Sequence, residues 1–223
     1  MEEKTLEELK NEIAKTKNED SVNVEIVNIL FLDISSTCTG YTVAEIDFNK
    51  KTGKIKSVGA LWLDNSWTHQ EKYLYMYKAI SNYFWIVEQI DYIVVEAYMI
   101  NPNKLMGVSV VSEMQGTIKC AAWENGVKVD SIMVQSWRKL LNIKPNTKNG
   151  KRDWKEPAKQ KALEYFNIPE QILSNMSSTL RKTPTDAYDA ACICLAWLNK
   201  FNLKIITNSV EFNTHIGQYL KGE

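Results

Sequence analysis

Between Ile26 and Leu63 the chain carries three strand-like runs separated by connections too short to hold a crossover helix. Ile26 to Leu32 is rich in Ile, Val and Leu, is interrupted only by Asn28, and runs into Asp33. Gly40 to Phe48 follows, then a turn at Lys50-Lys51-Thr52-Gly53-Lys54, then Ile55 to Leu63. Consecutive runs joined this tightly pair as an antiparallel meander.

Beyond the meander, helix and strand patterns alternate. The spacing predicts a helix over Gln70 to Gln89, with apolar residues at Leu74, Tyr77, Ile80, Phe84 and Val87. Tyr92 to Glu96 reads as a short strand ending in a carboxylate, Met106 to Asn125 as a long helix, and Val127 to Val134 as another strand. Pro184 to Lys200 is the last strong helix, with Thr183 as N-cap, Pro184 at N1 and Asp186 at N3. The sum is an α/β protein with a mixed five-stranded sheet flanked by helices. Residues 1–22 form a short helical appendage, with Leu6, Leu9 and Ile13 at helical spacing. Residues 23–200 form the main domain. Residues 201–223 form a tail with a weak strand and a short helix.

Lys plus Arg and Asp plus Glu both number 27, so any nucleic-acid signal must come from local charge rather than net charge. The longest apolar run, Ala190 to Leu198, falls well short of the ~20 residues of a membrane span. The first residues lack an apolar signal core, so a cytoplasmic protein is expected. Cys38, Cys120, Cys192 and Cys194 form no CxxC pair and read as reduced, small core residues. His69 and His215 stand alone and read as surface residues.

Four acidic residues stand out by position. Asp33 and Glu96 end apolar strands, and Asp186 and Asp189 lie three apart on one helix and share a face. Taken singly, each has a mundane explanation: a turn residue, a lysine's partner, a helix N-terminal acid, an exposed helix position. Together they can converge on two Mg²⁺ ions, hard cations that take oxygen ligands, with Mn²⁺ able to substitute. Such a pair of ions suits displacement at a phosphodiester.

Residues 138–161 carry nine basic side chains (Arg138, Lys139, Lys144, Lys148, Lys151, Arg152, Lys155, Lys159, Lys161) against Asp153 and Glu156, a local net charge of +7. Asn146 to Gly150 is turn-like, so part of the segment is expected as an exposed loop. Trp137 and Trp154 flank or interleave the charges. The bland reading is a solvated loop with the tryptophans turned inward. The functional one is phosphate contact, with aromatics free to stack on bases.

The sequence resembles the RuvC-type Holliday junction resolvases. Ile29-Leu30-Phe31-Leu32-Asp33 with Ser36, Thr39, Gly40 and Tyr41 resembles their first strand and hairpin, and Asp91 to Glu96 their acidic fourth strand. Gln115-Gly116 resembles a position where the next helix packs closely on the sheet. Lys159-Gln160 resembles their Lys-x-Gln stretch, and Thr185-Asp186-Ala187-Tyr188-Asp189-Ala190 their C-terminal Asp-x-x-Asp helix. The order agrees across about residues 26–199. The resemblance implies an RNase H-like fold, a homodimer, Mg²⁺-dependent symmetric nicking of four-way DNA junctions in recombination and repair, and Asp33, Glu96, Asp186 and Asp189 as metal ligands. It implies further that Lys159 meets the scissile phosphate and that Arg138 stands where the family has another lysine. Tyr98 and Met99 fall where many members place an aromatic against junction bases, and Lys148, Lys151 and Arg152 join the DNA-binding set. Ile34-Ser35 stands where the family has Pro-Gly. The pattern is that of a divergent member, of the kind a phage would carry.

The same four ligands would also serve an RNase H-like nuclease cutting flaps or other branched DNA, since substrate choice lives in loops and assembly. An actin-like or sugar-kinase ATPase shares an opening hairpin with an aspartate, but would need a second glycine-rich phosphate motif. The chain has nine glycines and no Gly-Gly pair. A non-catalytic nucleic-acid-binding module would have no need of all four carboxylates. For the homodimer, the Met106 to Asn125 helix is the candidate interface. Its Val108, Val110, Val111, Met114, Ile118, Ala121 and Ala122 span an arc wide enough to want cover beyond its own sheet.

Overall fold

A computed structural model describes residues 4–17, 24–97, 105–148, 151–165, 185–206 and 211–212. Helix α1 (Leu6–Lys17) precedes the meander β1 (Ile26–Asp33), β2 (Cys38–Asp47) and β3 (Thr52–Trp62). Then come α2 (His69–Lys78), β4 (Tyr92–Ala97), α3 (Leu105–Glu124), β5 (Lys128–Met133), α4 (Val134–Leu140), β6 (Asn146–Lys148), β7 (Lys151–Asp153), α5 (Lys155–Tyr165), α6 (Thr185–Lys200), β8 (Lys204–Ile206) and β9 (Glu211–Phe212).

The main sheet runs β5-β4-β1-β2-β3-β8, with β9 also paired to β3. Its first five strands are the expected mixed core: β1, β2 and β3 antiparallel in sequence, with β4 parallel to β1 and β5 parallel to β4. The weak strand of the tail becomes β8, which extends the edge in parallel with β3.

Strand β1 is buried on both faces, which explains its nearly unbroken apolar sequence. Ile29 and Phe31 point into one core, with α1, α4, α5 and α6; Leu30 and Leu32 point into the other, with α2 and α3. Helix α6 is submerged: from Ala187 to Leu198 every residue is buried except Asp189. Its run of Ala and Cys lets it lie close to the sheet. Helix α1 buries Leu9, Ile13 and Ala14 in the same core, and Lys4 and Lys17 tie it to Asp130 and Asp91.

The structure departs from the sequence reading at several points. The helix expected over Gln70 to Gln89 is α-helical only to Lys78 and continues as a π-helix over Ala79–Phe84. The extra residue per turn rotates the following face. Ala79, Ile80, Tyr83 and Phe84 turn inward and Val87 (46 %) is exposed, while Leu74 (54 %) is already exposed on α2, before the change of period. The apolar arc of α3 is satisfied inside the chain, because Val110, Val111, Met114, Ile118, Ala121 and Ala122 pack against α2, the π-helical turn and the sheet. Its outward side carries Cys120 and Trp123 instead, the latter 82 % exposed. Cys120 is therefore no core residue, unlike the other three cysteines. A Cβ added at Gly116 would meet nothing within 4 Å, so this is not a point of close packing on the sheet. Asn146 to Lys148, expected as part of a turn, form strand β6, which pairs antiparallel with β7; Asn149 and Gly150 lie outside the described residues. His69 is exposed, as expected. Thr183, Pro184 and His215, like Tyr98 and Met99, lie outside the described residues. No helix among the described residues is long and apolar enough to cross a membrane.

Candidate active site

Parallel pairing of β1 with β4 brings Leu32 beside Val95, so the next residues, Asp33 and Glu96, emerge side by side at the same end of the sheet. Asp33 pairs across the hairpin with Gly40. Gly40 lacks the side chain that would block the first turn of α6, and that turn delivers Asp186 and Asp189 to the same place. Carboxylate oxygens of Asp33, Asp186 and Asp189 all lie within 4.8 Å of one another. Glu96 stands next to Asp33 at the end of the neighbouring strand, and the two carboxyls perturb each other.

The surroundings hold each group in place. Ser35 Oγ donates to Asp186 Oδ2 at 3.1 Å, and Thr185 Oγ1 lies 3.3 Å from Asp186 Oδ1. Trp137 Nε1 donates to Glu96 Oε1 at 2.7 Å. Gln115 Nε2 donates to the Glu96 backbone carbonyl at 2.8 Å, which ties the strand end to α3. Among the described residues, none of the four carboxylates forms a salt bridge. The Cys38 thiol, buried beside Asp186, is pushed up by desolvation.

Buried acids crowded together resist ionisation. Burial first, then the charges of Glu96, Asp189 and Asp186, hold the Asp33 carboxyl well above the usual range. Burial also raises Glu96, against the opposing pull of the Trp137 hydrogen bond and the Arg138 charge. Asp189 is raised to about 7 by burial and by Glu96. This is a nest of hard oxygen donors that no ion pair among the described residues neutralises, the donor set that fits a divalent cation such as Mg²⁺.

The shifts carry a stability consequence. A carboxyl whose folded pKa is raised binds a proton that the unfolded chain has already released. Its contribution is therefore complete below about pH 4, the unfolded value, and is lost as pH rises to about 7, where Asp189 titrates. In EDTA the melting temperature is expected to fall from pH 5 to pH 8. Millimolar Mg²⁺ should restore it by several degrees at pH 8 and by much less at pH 5, because protons compete for the same oxygens. Differential scanning fluorimetry checks this, and a pH-independent melt in EDTA would contradict it.

The basic segment divides into groups that face the carboxylates and groups that face away. Arg138 and Lys155 are the cations whose fields reach Asp189. Lys155 Nζ also donates to Thr185 Oγ1 at 2.9 Å, beside Asp186. Lys159 lies with its ammonium 5.8 Å from the ring centre of Tyr188. Arg152 is exposed on the hairpin, in register with Thr147; Lys148 and Lys151 are paired across it. Trp137 is fully buried and cannot stack on a base. Lys155 and Trp137 are the residues that sequence reasoning did not nominate. Lys155 was one charge among nine, and Trp137 carried no signal that its ring nitrogen would meet Glu96.

Sheet order and helix placement together define an RNase H-like fold. Among solved structures the chain is similar to Thermus thermophilus RuvC in complex with a Holliday junction substrate, with a TM-score of 0.55 and 13% identity over 76% of this chain and 91% of that one. Free Thermus thermophilus RuvC gives a TM-score of 0.52 at 15% identity, over 79% of this chain and 98% of that one. The yeast mitochondrial Holliday junction resolvase Ydc2 gives 0.51 at 15% identity, over 88% and 93%. At these identities the likeness is one of fold. No protein-family sequence profile matches the chain, and no curated protein does.

Proposed function

We propose that this chain is a Mg²⁺-dependent, structure-selective endodeoxyribonuclease that resolves four-way DNA junctions by paired nicks, in recombination and repair. The observation that carries the reading is the convergence of Asp33, Asp186 and Asp189, with Glu96 beside Asp33 on the neighbouring strand, at one end of an RNase H-like sheet. The RuvC structure with a Holliday junction substrate supports the choice of DNA substrate. Asp33, Glu96, Asp186 and Asp189 would hold two Mg²⁺ ions. When bound, such ions polarise a phosphodiester and make an attacking water more acidic. Lys155 and Arg138 stand where a phosphate entering the cluster would be met by positive charge, and Lys159 extends that cationic edge. The β6–β7 hairpin offers Lys148, Lys151 and Arg152 to the backbone of a junction arm.

Two matched nicks need two sites, which a twofold homodimer supplies. Since the apolar arc of α3 is covered within the chain, the exposed Trp123 on its outer side becomes the candidate anchor.

The test is incubation with a labelled four-way junction, a flap and a duplex, with and without Mg²⁺, together with light scattering. Symmetric, Mg²⁺-dependent cleavage of the junction by a dimer is the expected result. Flap cleavage by a strict monomer would overturn junction resolution in favour of a flap-type nuclease, and no cleavage at all would overturn both. Neutralising Lys148, Lys151 and Arg152 together is expected to weaken junction binding and to flatten the slope of log K against log salt by about 2–3, as fewer counterions are released. Fluorescence anisotropy across a salt series measures it.

A further inference from the structure

Glu96 is gripped by two elements that the reaction itself does not require. Gln115 holds its backbone carbonyl, and Trp137 Nε1 holds its Oε1 at 2.7 Å. Trp137 has 0 % exposure. If it served only to fill space, its buried N–H would be a liability, because an indole donor away from water must find an acceptor. The acceptor here is a candidate metal ligand, so the bond restricts the rotation of that carboxylate. Parallel pairing of β1 with β4 sets Asp33 beside Glu96, one residue beyond the Leu32–Val95 pair.

The indole is itself held. The Arg138 guanidinium carbon lies 5.0 Å from the Trp137 ring centre and 4.6 Å from that of Trp154, within cation–π reach of both indoles. Arg138 Nε is buried with no hydrogen-bond partner, and Arg138 forms no salt bridge among the described residues. The guanidinium makes no ion pair with Glu96 among the described residues, although its charge acts on that carboxylate. That arrangement leaves the Glu96 charge available to a cation.

We propose that Trp137 is a positioning residue for metal binding: its indole N–H sets the Glu96 carboxylate so that its remaining lone pairs face the Asp33, Asp186 and Asp189 cluster. The proposal rests on the nuclease reading of that cluster. A ligand already fixed in orientation loses less freedom when it binds, and partners that orient ligands change metal affinity by roughly 10–100-fold.

The experiment is Mn²⁺ binding to the full chain, followed by the electron paramagnetic resonance signal of the free ion. It compares the native protein with Trp137→Phe, Glu96→Ala, the Trp137→Phe, Glu96→Ala double variant and Asp186→Asn, and melts in EDTA on the same samples monitor packing. Trp137→Phe is expected to weaken Mn²⁺ binding about 10-fold or more. In the Glu96→Ala background it should change binding by less than about 2-fold, since the indole acts through the carboxylate. Losses that add in full, or unchanged affinity in Trp137→Phe when Glu96→Ala is weakened, would overturn the proposal and leave the metal site standing. A native chain that binds Mn²⁺ no better than Asp186→Asn and Glu96→Ala would overturn the nuclease reading itself. If Trp137→Phe melts too low to assay, 3-benzothienylalanine at position 137 keeps the ring shape and replaces N–H with sulfur. Unchanged Mn²⁺ affinity in that protein would equally overturn the proposal.

Discussion

Replacing Asp186 with Asn is expected to lower Mg²⁺-dependent junction cleavage by about 10³-fold while leaving junction binding within a few-fold of native. The side chain stays the same size, and Ser35 Oγ and Thr185 Oγ1 still find a polar partner there. What disappears is one of the negative charges that would neutralise a bound cation. Asp33→Asn and Asp189→Asn should behave alike, and Glu96→Gln similarly. Because the four act as one site, combining two should cost little more than one alone. Single-turnover cleavage of a labelled junction measures the loss, and electrophoretic mobility measures retained binding. Undiminished cleavage by an Asp33→Asn, Asp186→Asn double variant would sink the site assignment. Asp33→Asn and Asp189→Asn should also raise the melting temperature in EDTA, since each removes a group that burial and repulsion hold in strain.

That the carboxylates could be picked out from the sequence has a physical cause. A charge at the end of an apolar strand contradicts its surroundings, and the contradiction is visible in one dimension. Asp33 after Ile29-Leu30-Phe31-Leu32 and Glu96 after Tyr92-Ile93-Val94-Val95 are both of this kind, and helical spacing placed Asp186 with Asp189. The strand-end register that sets Asp33 beside Glu96 then followed from parallel pairing. Contacts between distant side chains left no such mark. Trp137 lies 41 positions from Glu96, and nothing local distinguishes a tryptophan that packs from one that also donates. The π-helical turn at Ala79–Phe84 was equally hidden, because a single-period reading cannot register a change of period within a helix. The wide apolar arc of α3 was real, but sequence could not say whether α2 or another chain would cover it. The basic segment showed its charge without its geometry. A turn was legible at Asn146 to Gly150, but not the pairing of Asn146 with Asp153 that makes it a hairpin.

Gly40→Ala is expected to destabilise the protein by about 3 kcal/mol or more, the upper end of what overpacking costs. An ideal Cβ at this position would stand 1.9 Å from the Asp186 carbonyl oxygen, 2.2 Å from its carbon and 2.6 Å from the Ala187 nitrogen. All three are backbone atoms, so no side chain can rotate out of the way, and the first turn of α6 must lift from β2. For a chain of this size the melting temperature should fall by roughly 6–12 °C. Cleavage should fall further than stability alone accounts for. The lifted turn carries Asp186 and Asp189, and misplacing reacting groups by about 1 Å can cost 10²-fold. Stabilisation by Mg²⁺ should shrink in step, even at temperatures where the variant is fully folded. Gly116→Ala is the control: its Cβ would meet nothing within 4 Å. Exchanging Gly for Ala inside a helix gains up to about 1 kcal/mol. That variant should melt at or slightly above the native temperature with unchanged cleavage. Equal melting temperatures for the two variants would mean that α6 does not lie against β2 at Gly40, and the contact that brings Asp186 to Asp33 would fall with it.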